Sequence, residues 1–119
     1  MILIEFNDIK VLLTGDGYID EIKESLKQLE LEKIDVIKAS HHGAKENNKG
    51  LIDIVEDYKC GIVFFTITGT DDNNHPDIDL VKELYDKKCA LHCSANVTGA
   101  ELKKYITTKK DITIPEVGL

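Results

Sequence analysis

Two adjacent histidines, His41 and His42, follow an apolar, β-branched run (Ile34, Val36, Ile37) and are closed by Gly43. Imidazoles can ligate a metal or move a proton near neutral pH. Strand ends and the loops after them are where α/β proteins keep their chemistry. Asp16 stands at a similar junction, in Leu12-Leu13-Thr14-Gly15-Asp16-Gly17. The flanking glycines let the backbone bend so that its carboxylate can aim across the strand ends. There it would serve as a hard oxygen ligand or a catalytic carboxylate, or cap the next helix. His75-Pro76 closes a loop rich in Asp and Asn, and His75 reads as a substrate-side group or a turn residue. Together with Thr98-Gly99, these points read as converging on one site centred on the histidine pair.

If strand geometry persists through both histidines, His41 and His42 point to opposite faces and cannot share one ion. One then faces the site and the other supports the core or the loop. His92, inside an apolar run, reads as a core or sheet-face histidine. Neither a Gly-Lys-Ser/Thr phosphate loop nor a Gly-x-Ser-x-Gly nucleophile elbow occurs.

The elements that must position these groups follow from periodicity. Runs 2–6 and 9–14, joined by Asn7-Asp8, predict a hairpin, since Asn and Asp tolerate the positive φ of tight turns. Ile19, Ile22, Leu26 and Leu29 draw one helical stripe over 18–29. A strand is expected over 34–40 and a helix over 50–58. The run 60–68 is apolar throughout, as suits a central strand covered on both faces. Asp77 is a good N-cap for a helix over 78–88, with Ile78, Val81 and Leu84 buried and Tyr85 beside them. Strands are expected over 89–95 and 99–107, with an edge strand near 112–115. The order β-β-α-β-α-β-α-β-β predicts one α/β domain over 1–119, its mixed sheet opened and closed by hairpins.

Composition narrows the function. With 119 residues, 42% apolar and 31% charged, the chain reads as one soluble globular domain. No stretch reaches the roughly 20 apolar residues of a membrane span, nor does a signal segment open the chain, so a cytoplasmic location is expected. The net charge of −7 lacks the basic stripe of an extended nucleic-acid groove, though a metal site could invert the sign locally. Cys60, Cys89 and Cys93 are an odd number and read as buried thiols rather than a disulfide framework.

Taken together, Leu12–Asp16, the run Asp35-Val36-Ile37-Lys38-Ala39-Ser40-His41-His42-Gly43, the loop ending Asn73-Asn74-His75-Pro76 and the turn Asn96–Gly99 resemble the C-terminal half of metallo-β-lactamase-fold hydrolases. The resemblance covers about residues 2–107 and is closest to the ComEC-type competence protein subgroup. It implies half of an αββα sandwich, with helices on one face of a mixed sheet. It implies that Asp16 is a metal-bridging carboxylate, His41 a metal ligand, and His75 a group on the substrate side. The metal would be zinc, or manganese, and the reaction hydrolysis of a phosphodiester, ester or amide, so that nucleic acid enters only as a substrate. The family's His-x-His-x-Asp-His motif belongs to the N-terminal half, and no His-x-His occurs here. The expectation is therefore a truncated domain with an incomplete site. It would pair with a chain carrying the other half or self-associate, the alternative being a catalytically inactive binding or dimerisation module.

Overall fold

The structure is a computed structural model and describes residues 1–67, 76–94 and 100–107. It is α/β. Among the described residues, six strands form one sheet in sequential order, β1 (Ile2–Phe6), β2 (Ile9–Leu13), β3 (Val36–Lys38), β4 (Ile62–Phe65), β5 (Ala90–Cys93) and β6 (Ile106–Thr107). β1 and β2 pair antiparallel; every later pairing is parallel. The predicted opening hairpin forms, with Asn7 and Asp8 at φ 47° and 67° in its turn. Among the described residues, the last strand pair, β5 and β6, is parallel rather than a hairpin, and the edge strand expected near 112–115 lies outside the described residues. The stretch predicted as a strand over 99–107 folds instead as a short helix, α4 (Ala100–Lys103), before the two-residue β6. Ala100, Glu101, Leu102 and Lys103 are all good helix formers, and that local preference prevails.

The other helices are α1 (Ile19–Lys27), α2 (Leu51–Asp57) and α3 (Ile78–Asp86). α1 buries Ile19, Ile22 and Leu26, while Leu29 lies beyond its end and is exposed. Asp16 does not cap it, because Tyr18 is the N-cap and makes no side-chain cap bond. The Asp77 carboxylate does cap α3, accepting from the Leu80 N–H at 3.0 Å. The buried stripe of α3 is Leu80, Val81 and Leu84 rather than one centred on Ile78, and exposed Tyr85 packs edge-on against Tyr105.

Sequential strand order with right-handed crossovers puts every helix on the same side of a sheet. The buried cluster agrees. Leu12, Ile37, Val63, Phe65, Leu91 and Cys93 share one strand parity and pack with the apolar stripes of α1, α2 and α3. The opposite parity carries Ile2, Ile4, Phe6, Ile9, Ile62 and Phe64, none of which belongs to that cluster. Among the described residues, β4 is thus central but covered by helices on one face only, which corrects the two-face reading of its apolar sequence. One polar clamp sets the β2–β3 register: the Lys10 N–H donates to the Asp35 carboxylate at 2.7 Å, and the Asp35 N–H to the Lys10 carbonyl at 2.9 Å.

Candidate functional site

β2 and β3 are parallel neighbours, so the loops that leave their C-terminal ends emerge side by side. Thr14, buried beyond β2, donates its hydroxyl to the Lys38 carbonyl at 2.6 Å. The His41 N–H donates to the Gly15 carbonyl at 3.1 Å. The Ser40 hydroxyl, fully buried, reaches the carbonyls of Gly15 and Gly17. The Asp16 loop is therefore stitched to the histidine loop along its length. Both the Asp16 and His41 side chains are exposed at this edge.

β3 stops at Lys38, three residues before the histidines, which sit on a single 3-10 turn. His41, His42 and Gly43 all take positive φ, at 43°, 56° and 87°. For the two histidines this left-handed backbone costs on the order of 1 kcal/mol each and persists only where surroundings enforce it. Strand alternation consequently does not govern the pair; their rings lie 5.8 Å apart, tilted by 57°. Gly43 is the residue that closes this turn. A Cβ there would meet the Cβ of Pro76 at 2.6 Å and a ring carbon of Phe65 at 2.8 Å, and its carbonyl accepts from the Asp77 N–H at 3.0 Å. Only glycine fits.

Two buried asparagines hold this turn in place. Asn48 accepts from the Ser40 N–H at 2.8 Å and donates to the Ser40 and Ala44 carbonyls at 2.8 and 2.6 Å. Asn47 joins the two candidate ligand residues. Its amide nitrogen donates to the Asp16 carbonyl at 3.1 Å, and its amide oxygen lies 3.2 Å from Nδ1 of His41. A backbone carbonyl can only accept, which fixes the orientation of the amide. Nδ1 of His41 must then carry the proton, and the lone pair of the neutral ring sits on Nε2. This is how metal-ligating histidines are commonly held, by a polar group on the ring nitrogen away from the metal. His42 is set the same way, because its Nδ1 donates to the Thr66 carbonyl.

The donor types suit a divalent cation of intermediate softness, an imidazole with its lone pair on Nε2 and a carboxylate on the loop of the neighbouring strand. It is not a whole site: among the described residues, no group of three or more His, Cys, Asp or Glu could hold a metal ion. His75, the candidate substrate-side group, lies outside the described residues, as do Asn73, Asn74 and Thr98-Gly99. Pro76, which follows His75, packs against Gly43. His92 lies on the face of β5 opposite the helices, half-buried, with its Nδ1 lacking a hydrogen-bond partner.

A cleft of about 410 Å³ opens beside Asp16, lined by Thr14, Gly15, Tyr18, Glu21 and Met1 among others. A second depression of about 280 Å³ lies between the starts of α2 and α3, and neither His41 nor His42 lines it. The thiols stand apart from this chemistry. Cys60, Cys89 and Cys93 are buried and free, and burial pushes Cys60 up to about 11 and Cys93 up to about 12. Such thiols stay protonated and unreactive at neutral pH.

Sequence reasoning assigned no part in the site to Ser40, Asn47 or Asn48. The signal was the Asn-Asn pair in the loop just after the histidines. A polar loop gives no hint that its amides turn inward. Among the described residues, no helix is long and apolar enough to cross a membrane. No protein-family model matches the chain, and no curated protein or solved structure matches it either.

Proposed function

We propose that these 119 residues form the C-terminal half of a metal-dependent hydrolase of the metallo-β-lactamase type, acting on phosphodiesters or a related small ester. Asp16 and His41 contribute part of the ligand set, and the remaining donors come from outside this sequence. His75 is assigned to the substrate side. The observation that carries the reading is Asn47, whose one amide ties the Asp16 backbone to the His41 ring and sets the lone pair of that ring on Nε2. A bound zinc or manganese ion would polarise the scissile group and activate water. What this chain does is hold one imidazole and one carboxylate at neighbouring strand ends.

The test is a zinc titration followed by calorimetry, with and without a protein that carries a His-x-His-x-Asp-His half. The chain alone is expected to bind zinc weakly, and the mixture tightly and with hydrolysis of a phosphodiester probe. Two zinc ions held tightly by the chain alone would contradict the ligand count. The three free, buried thiols suit the reducing interior of a cell, where the protein is placed under this reading.

A second reading is favoured by a different observation, the apolar sheet face without helices. Under it, the chain is a catalytically inactive docking module that retains the site's scaffold. Asp16→Ala combined with His41→Ala would then leave its function unchanged.

A further inference from the structure

We propose that the β1–β2 half of the helix-free sheet face is the interface with a second copy of this chain, packed face to face about a two-fold axis. The proposal rests on the docking reading above and holds whether or not Asp16 and His41 take a metal.

Area is the first argument. On this face Phe6 is 69% exposed, Ile2 61%, Ile9 50%, Ile4 46% and Ile62 37%. A fully open large apolar side chain presents on the order of 200 Å², so these five alone expose about 500 Å². Val11, Leu13, Val36 and Phe64, half-buried on the same face, extend the patch toward the roughly 800 Å² per partner of a stable protein interface. Monomers seldom leave so large a contiguous apolar patch in water.

The layout of polar groups is the second argument, and it selects the occupant. The four most exposed members, Ile2, Ile4, Phe6 and Ile9, all lie on the hairpin and pair across it, Ile2 opposite Leu13, Ile4 opposite Val11 and Phe6 opposite Ile9. Lys38 and His92 flank Phe64 on β3 and β5; His92 lies away from the hairpin, and Lys38 borders it as the register neighbour of Leu13. Lys38 already turns its ammonium to the Ala39 carbonyl, 3.2 Å away. The hairpin half thus carries no charge that would need a counter-charge from a different protein. A patch that is apolar throughout can meet itself, as a two-fold interface requires. His92 then falls at its rim, and Lys38 borders the hairpin half beside Leu13 with its ammonium already turned to a backbone carbonyl. Pairing of β1 edges through backbone hydrogen bonds would leave these side chains in water, so the faces, not the edges, are assigned to the contact.

Sedimentation equilibrium of the purified chain tests the proposal. The expected result is twice the chain mass across the micromolar range, with Phe6→Glu weakening self-association at least about 100-fold, since it would bury an unpaired carboxylate. Leu29→Glu alters an apolar side chain of similar exposure at the end of α1 and should leave the dimer intact. Because Phe6 is mostly exposed, circular dichroism should show that the variant folds. If it does not fold, Ile2→Glu replaces it and is expected to act alike. A monomer at every concentration, or a dimer indifferent to the folded Phe6→Glu or Ile2→Glu chain, would overturn the proposal. Neither result touches the metal reading, which the zinc titration tests separately.

Discussion

Asn47 and Asn48 divide the work of the histidine turn between function and stability. Asn48 satisfies one N–H and two carbonyls in a buried place. Each group left unpaired by its removal costs about 1–3 kcal/mol. The Ser40 carbonyl keeps the Gly43 N–H, so with two groups left unpaired Asn48→Ala should destabilise the fold by about 2–6 kcal/mol, read as a shift in the urea midpoint. Asn47→Ala should cost less in stability but weaken zinc binding about 10–100-fold, the usual effect of losing a group that orients a ligating histidine. An Asn47→Ala chain with unchanged zinc affinity would mean that the ring needs no orienting. Gly43→Ala should be worse than either for the turn, because a positive φ of 87° and contacts below 3 Å to Pro76 and Phe65 combine. Strain of this kind alone costs about 1–3 kcal/mol.

At this scale the sequence was a good guide to which residues matter and a poor one to how they sit. The histidine pair and the Gly-Asp-Gly turn stand out by type, and the structure places them at neighbouring strand ends. The argument from strand alternation fails because β3 ends at Lys38 and the turn after it is left-handed. That turn is enforced by Ser40, Asn48 and Pro76, the last of them distant in sequence from the histidines. Periodicity cannot register contacts of that kind.

Among the elements, those with strong local signals were legible: the Asn-Asp hairpin, the α1 stripe and the Asp77 cap. The errors fall where the tertiary setting overrides pattern. The all-apolar β4 implied two covered faces, yet helices cover one. The stretch 99–107 reads as a strand, yet residues 100–103 favour and form a helix. β5 carries a prediction of its own. Cys93 at its end and Cys60 before β4 are held protonated by burial, against an ordinary thiol value of 9.0. In the unfolded chain these thiols ionise first. The stability they contribute is present in full below about pH 9 and is lost as pH rises toward 11 and 12. Urea midpoints should fall between pH 9 and 11, with a shallower fall for Cys93→Ala. At pH 7.5 a thiol-specific disulfide reagent should label none of the three cysteines until denaturant is added. Rapid labelling of the native chain would show that burial does not protect them.

The described residues form two layers, one of helices and one of sheet. That plan follows from sequential strand order, which a β-α-β sequence with right-handed crossovers permits but does not dictate. The helix-free face was foreseen only through the resemblance, because alternation within single strands does not reveal which side the helices take. The same plan sets Asp16 and His41 on the C-terminal edge of the sheet, where another layer could complete a site. The central claim is that Asp16 and His41 form part of a metal site held in order by Asn47. Its most direct test is calorimetric titration of the purified chain with zinc, beside His41→Ala and Asn47→Ala. One weak zinc equivalent is predicted, abolished by His41→Ala and weakened by Asn47→Ala. Zinc binding of equal strength in all three chains, or no binding in any, would contradict it.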